Sequence, residues 1–251
     1  MIAAQTIEML KKMKLGAIAD EYDRQMGDLE AQSMSFDDRF GMMVDREYCR
    51  RQNKGLARRI KNAEFTDRNA CVEKIIYKPG RGLDSAQIQK FATCTYIERN
   101  LNIQLLGATG VGKSFIANAL GISACRNGYT VKYTCLQDML AALMIAKDNG
   151  TFNQVFLEYQ RVKLMIVDDW LMFEITDDAE ASFLYNLIEA RKYSGSMIIC
   201  SQINAEGWHA RILNKIAADS ICDRLVNSSH KIVMTGEMRK EIAQQVFSAE
   251  A

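Results

Sequence analysis

The spacing of apolar residues changes character partway along the chain. Ile7, Leu10, Leu15, Ile18, Tyr22, Met26 and Leu29 recur at three-to-five-residue steps, which predicts roughly one helix face. Ser35 followed by Asp38 resembles a capping box and predicts the start of another helix. The only proline then falls in Lys78-Pro79-Gly80-Arg81-Gly82, the clearest break in the sequence. Beyond it, short apolar runs begin at Ile103, Val131, Leu164, Met197 and Ile232. Stretches long enough for helices, such as Lys113 to Arg126 and Asp178 to Tyr193, lie between them. Strands alternating with helices predict a parallel sheet covered on both faces. The organisation expected is a small all-helical module over residues 1–75 and an α/β domain over 76–251, without repeats or low-complexity tracts.

Composition narrows this picture only a little. With 48% hydrophobic and 25% charged residues among 251, the chain can bury an ordinary core. Its net charge of +1 points to no class of partner, so only local patches can. No apolar run is long enough for a membrane span, and the N-terminal lysines follow the apolar residues, the reverse of a secretory signal. A cytoplasmic protein is expected. The seven cysteines contain no C-x-x-C pair and there are only two histidines, so no structural metal is expected.

The first chemical signal is Gly107-Ala108-Thr109-Gly110-Val111-Gly112-Lys113-Ser114, with Phe115 opening the apolar helix behind it. It fits the phosphate-loop pattern G-x-x-x-x-G-K-[S/T] and sits between a strand-like and a helical run. Glycines let backbone N–H groups curl around phosphates, and the helix N-terminus favours the anion. Lys113 is suited to the β and γ oxygens, and the Ser114 hydroxyl to Mg²⁺.

A second signal is the aliphatic run Leu164 to Val167, which ends in Asp168-Asp169. A buried strand ending in two carboxylates suffers desolvation unless a cation awaits them. Asp168 is expected to hold the Mg²⁺ of Ser114, and Asp169 to orient the attacking water. The alternative is that both cap a helix. Gln202, after the run at Met197 to Cys200, is placed to help hold that water. Arg224 in Ile221-Cys222-Asp223-Arg224-Leu225 suits either an arginine acting on a neighbouring subunit or an ion pair with Asp219 or Asp223.

Two basic regions are candidates for nucleic acid. Arg46, Arg50, Lys54, Arg58 and Lys61 share one helix face, as a phosphate-contacting stripe or a merely solvated one. Lys147, Arg161 and Lys163 form the second group.

Together these motifs resemble the IstB-like transposition helper ATPases, within the DnaA/DnaC clade of AAA+ proteins. The likeness runs from Ala86-Gln87-Ile88 through the phosphate loop, Ile166 to Trp170, Ser201-Gln202 and Trp208. It continues through Ala217 to Val226, His230 and Gly236 to Lys240. The resemblance implies a five-stranded parallel P-loop sheet with little or no lid, ATP and Mg²⁺ as cofactors, and assembly into a homo-oligomeric ring or spiral. It also implies binding to double-stranded DNA and recruitment or activation of a transposase. In that light Arg224 is the arginine finger, Gln202 a sensor, and Arg239 the second sensor arginine. In the DnaA/DnaC clade, helices inserted after the second strand face nucleic acid, which adds Lys147, Arg161 and Lys163. Two departures stand out: Asp169 replaces the glutamate of many AAA+ proteins, implying slow turnover, and no serine separates Glu237 from Met238.

The rivals fit less well. A GTPase needs Asn-Lys-x-Asp after a strand, and Asn214-Lys215 reaches Asp219 at the wrong spacing. A small-molecule kinase has no use for an arginine acting in trans. A DnaC-like replicative helicase loader shares the ATPase core, and a DNA scaffold with an inactive nucleotide site would explain Asp169.

Overall fold

The computed structural model describes residues 2–236 and Arg239. Its contacts divide the chain into two compact units, residues 1–58 and 59–251. The expectation of little or no lid after Arg239 falls outside the described residues.

The first unit is helical, with α1 (Ile2–Lys12), α2 (Gly16–Met26), α3 (Leu29–Ser33) and the start of α4 (Phe36–Ala63). The apolar pattern of residues 7–29, read from sequence as one face, is therefore distributed over three helices. The first break is a cap that periodicity does not register. Lys14 adopts a left-handed φ of 61°. Its N–H donates to the Lys11 carbonyl at 3.0 Å, and that of Leu15 to the Leu10 carbonyl at 2.9 Å. This is a Schellman closure built on lysine where glycine is usual. Asp28 then caps α3. Half of the capping box expected at α4 forms: Ser35 Oγ accepts the Asp38 N–H at 3.1 Å, while the Asp38 carboxylate accepts the Ser35 hydroxyl at 2.6 Å.

Two acids anchor this unit. Glu21 accepts from Arg24 at 2.6 Å, from Gln25 at 3.0 Å, and from Arg46. Glu47 accepts from the Ala17 N–H at 3.0 Å, Arg50 at 2.8 Å and Arg51 at 2.7 Å. These donors hold both carboxyls down to about 2, chiefly Arg24 for Glu21 and Arg50 for Glu47.

The second unit includes the segment 59–75 that the sequence pattern groups with the helical module. Arg59 Nε donates to the Cys125 carbonyl at 2.8 Å. The remaining elements are α5 (Ser85–Ala92), α6 (Thr95–Glu98), β1 (Asn102–Leu106), α7 (Lys113–Arg126), β2 (Val131–Cys135), α8 (Leu136–Asp148) and α9 (Phe152–Arg161). They continue with β3 (Leu164–Asp168), α10 (Asp178–Arg191), β4 (Ser196–Ser201), α11 (Ala205–Ala210), α12 (Lys215–Asn227) and β5 (Ser229–Val233).

The five strands form one parallel sheet in the order β2-β3-β4-β1-β5. All five expected apolar runs lie in it, although β5 begins at Ser229, ahead of the run at Ile232. β1, β3 and β4 are buried throughout, which is why β3 and β4 read as continuous rather than alternating apolar runs; in β1 the buried Gln104 interrupts the run and donates to the Leu225 carbonyl at 3.2 Å. One face packs on α7, where Gly121 permits close approach: a Cβ there would lie 2.6 Å from Phe65 and 2.7 Å from Ile166. The other face carries the main core, in which Met165, Val167, Met197 and Ile199 meet Met139, Leu143, Leu184, Leu187 and Ile221. Buried Arg191 pins the strand starts on this side, donating to the carbonyls of Tyr159, Gln160, Val162 and Ser196 at 2.7–3.1 Å.

Candidate active site

Parallel strands deliver their C-terminal ends to one edge, and a ligand crevice forms there where neighbouring strands connect in opposite directions. β1 ends at Leu106, and the glycine-rich turn follows with positive φ at Gly107, Gly110 and Gly112. At Gly107 the lack of a side chain is mandatory, since a Cβ would sit 2.3 Å from the Met234 carbonyl oxygen. Lys113 begins α7 and is 7% exposed. Its Nζ donates to the Gly107 carbonyl at 2.7 Å and to that of Ala108 at 2.8 Å. Burial lowers its pKa, because the ammonium lacks full hydration.

Thr109, Gly110, Gly112, Lys113, Ser114 and Phe115 line a cleft of about 220 Å³. Asp168, Asp169, Gln202 and Arg239 complete its wall. The sequence-predicted residues therefore converge, from the ends of three strands and from β5's continuation. Three loop residues do not line the cleft: Gly107 and Ala108, whose carbonyls hold Lys113, and Val111, which is buried and whose carbonyl accepts from Arg81 Nη2 at 2.5 Å.

Asp168 ends β3 and is 7% exposed. One carboxylate oxygen accepts from the Tyr133 hydroxyl at 2.5 Å, the other from the Asp169 N–H at 3.0 Å. No ion pair neutralises it among the described residues. Asp169 turns the chain away with a left-handed φ of 49°. Burial, and then the neighbouring Asp168 charge, raise its pKa. The Trp170 N–H returns to the Cys200 carbonyl at 2.9 Å, tying this turn to the end of β4. Ser201 is not available to a ligand: its Oγ accepts from Trp208 Nε1 at 2.9 Å and donates to the Trp170 carbonyl at 3.0 Å. That anchoring leaves Gln202, the next residue, exposed at the cleft. For a hard divalent cation the donor set is suitable: the Ser114 hydroxyl and the Asp168 carboxylate border one space, and oxygen ligands are what Mg²⁺ prefers.

Arg239 reaches the loop from the other side. Its N–H donates to the Gly110 carbonyl at 2.9 Å, and its guanidinium lies 3.4 Å from the centre of the Phe115 ring. Its sequence neighbours Glu237, Met238 and Lys240 lie outside the described residues.

Residues 8–245 match the family of IstB-like ATP binding proteins. The chain belongs to that family. A relative from Sinorhizobium fredii, named as an insertion sequence ATP-binding protein, is 32% identical over 94% of this chain and 96% of its own length. One from Pseudomonas fluorescens, of the insertion sequence IS1162, is 34% identical over 81% of this chain and 87% of its own. Among solved structures, AMPPCP-bound DnaA from Aquifex aeolicus superposes with a TM-score of 0.60 at 18% identity, covering 74% of this chain and 57% of that one. A DnaC helicase loader gives 0.56 at 17%, covering 66% and 97%. At those identities the likeness is one of fold: the AAA+ P-loop sheet expected from the sequence. This IstB-like protein is thus an ATP-binding protein with the AAA+ P-loop fold.

The structure separates Arg224 from the cleft. It lies near the end of α12 and lines a recess with Asn102, Gly195 and Met197, which mark the N-terminal ends of β1 and β4. Its Nε pairs with Glu189, its Nη1 donates to the Ser220 carbonyl at 3.0 Å, and its guanidinium lies 5.2 Å from the Tyr185 ring centre. The acids suggested by spacing are engaged elsewhere, Asp219 with His209 at 2.9 Å and Asp223 with Asn227 at 2.6 Å.

Sequence reasoning missed Arg81 and Tyr133. Arg81 is 4% exposed, and burial and then Arg239 lower its pKa. Its only advance signal was its place in the Pro79 turn, read there as a break alone. The basic candidates are scattered in their bonding. Arg50 is held by Glu47, while Lys147 lies 5.5 Å from the Phe183 ring centre and Lys163 donates to the Ser194 carbonyl at 3.2 Å. Lys54, Arg58 and Arg161 are exposed. Among the described residues, no helix is long and apolar enough to cross a membrane.

Proposed function

We propose that this protein is the ATP-driven helper of a transposition system: with ATP bound it assembles on duplex DNA, and the assembly recruits or activates a transposase. Relatives named as insertion sequence ATP-binding proteins, matching nearly end to end, support the transposition context. A helicase-loader role has only a fold-level likeness behind it.

The observation that carries assembly is the position of Arg224 at the sheet edge opposite its own cleft. A cation there serves phosphoryl transfer only on a neighbouring copy. Within one copy, Lys113 leaves the Gly107 and Ala108 carbonyls to grip the β and γ oxygens, aided by the loop amides and the N-terminus of α7. Ser114 and Asp168 hold Mg²⁺, which when bound offsets phosphate charge. Asp169 and Gln202 orient the attacking water, and Arg239 faces the γ-phosphate of its own subunit. Lys54 and Arg58, with Lys147, Arg161 and Lys163, supply the charge for the DNA backbone.

The test is particle size and duplex affinity, by electron microscopy and fluorescence anisotropy, with and without ATP. ATP should enlarge the particle and tighten DNA binding, with affinity falling as salt rises. A monomer of unchanged size and DNA affinity in both states overturns the reading.

A further inference from the structure

Asp168 is held by a phenol packed among polar side chains that border the other metal-facing residue. Asn118, one turn into α7 from Ser114, donates through Nδ2 to the Ser114 carbonyl at 2.7 Å and to Thr66 Oγ1 at 2.9 Å. Thr66 in turn acts on the Tyr133 phenol, lowering its pKa against the larger upward pull of burial. The Tyr133 hydroxyl donates to Asp168 Oδ2 at 2.5 Å. That bond ends on a carboxylate, the kind of acceptor to which hydrogen bonds are strongest.

Register explains why the phenol reaches it. Tyr133 pairs with Ile166 across the parallel β2–β3 ladder, and Asp168 pairs with Cys135. Positions two apart in a strand share a face, so Tyr133 and Asp168 lie on the same side of neighbouring strands, offset by one pleat repeat. A phenol spans that offset. Tyr133 is 8% exposed and Asp168 7%, so water does not substitute readily for the missing donor.

We propose that Tyr133 is a positioning residue for the metal centre, fixing the Asp168 carboxylate so that its remaining lone pairs face the cation shared with Ser114. This rests on the nucleotide-site reading above. The hydroxyl holds one oxygen, the Asp169 N–H holds the other, and the carboxylate plane cannot rotate without breaking one of them.

Full-length Tyr133→Phe removes the hydroxyl and keeps the ring. Mn²⁺ affinity, read by electron paramagnetic resonance with a non-hydrolysable ATP analogue in excess, should weaken about 10- to 100-fold, as when other partners of metal ligands are removed. Nucleotide affinity in EDTA should be unchanged. Thr66→Val, at an exposed position, removes a hydroxyl that acts on the phenol and should weaken Mn²⁺ in the same direction by less. Mn²⁺ affinity within twofold of the parent in both variants overturns the proposal. So does an equal loss of nucleotide affinity with and without metal, which would make the pair a fastener of the fold. Lys113→Ala run in parallel separates the two levels. Nucleotide bound normally by that variant removes the site itself, whereas its loss together with unchanged Mn²⁺ affinity in Tyr133→Phe removes only the role of Tyr133.

Discussion

The arginines of the first unit and the cations of the ATP cleft are charged side chains in opposite circumstances. Arg46, Arg50 and Arg51 each meet a carboxylate, Glu21 or Glu47, that the fold buries to receive them. Among the described residues Lys113, Arg81 and Arg239 form no ion pair: each is bonded to, or stacked on, neutral groups of the loop, and burial lowers the pKa of all three, outweighing the pull of Asp168 and Asp169 on Lys113 and of Asp67 on Arg239. Burying a cation without a counter-charge is unfavourable unless an anion is to arrive. The first set therefore stabilises structure, and the second suits the phosphate-binding role proposed for the cleft. Arg224, paired with Glu189 yet far from its own cleft, is the case that tests the distinction.

The largest effect is expected there. Arg224→Ala should reduce hydrolysis by about a thousandfold while nucleotide binding is nearly unchanged. Mixing it with Asp169→Asn should restore part of the activity, because some interfaces then carry an intact arginine opposite an intact acid. No recovery in a steady-state ATPase assay would place Arg224 with the structural arginines. Next, Lys113→Ala should weaken ATP analogue binding about 100-fold or more without lowering the melting temperature, since it removes a buried charge that has no ion-pair partner among the described residues.

Glu21→Gln should do the reverse. It should lower the melting temperature by about 3 °C or more while leaving nucleotide affinity intact. Acid should reproduce it. The arginines beside Glu21 and Glu47 hold both carboxyls down to about 2, below the 4.5 of a free glutamate, so their contribution is whole above about 4.5 and is lost as pH falls toward 2. Circular dichroism across that range should show the loss; a flat profile would mean the pairs stabilise nothing. The smallest effect concerns DNA. Lys54→Ala or Arg58→Ala should each lower the slope of log affinity against log salt by about one, and Arg50→Ala should change stability and leave that slope alone.

What the sequence disclosed follows from how far apart the interacting residues are. The phosphate loop lies within eight consecutive residues, and the Asp168-Asp169 strand end is equally local, so both were legible. The centre of the sheet was legible because the fully buried strands β3 and β4 read as uninterrupted apolar runs, and the flanking strands as short apolar segments between helical stretches. The bonding of the basic stripe was not: Arg46 finds Glu21 across 25 positions. Arg81 reaches Val111 across 30 and Tyr133 reaches Asp168 across 35, pairings for which no local spacing exists. The helix end at Lys14 was hidden for another reason, since lysine there does the work that glycine would have advertised.

The left-handed turn at Asp169 bears on how this enzyme is altered. Aspartate and asparagine accept that conformation more readily than longer side chains, because a short polar group bonds locally and relieves the crowding. Installing the glutamate common at this position in other AAA+ proteins would therefore do two things at once. It would extend the carboxylate by a methylene and load the turn with about 1 kcal/mol of backbone strain. Acid length and chain direction are in this way a single inherited choice, and a swap that ignores the second should not be expected to deliver the first.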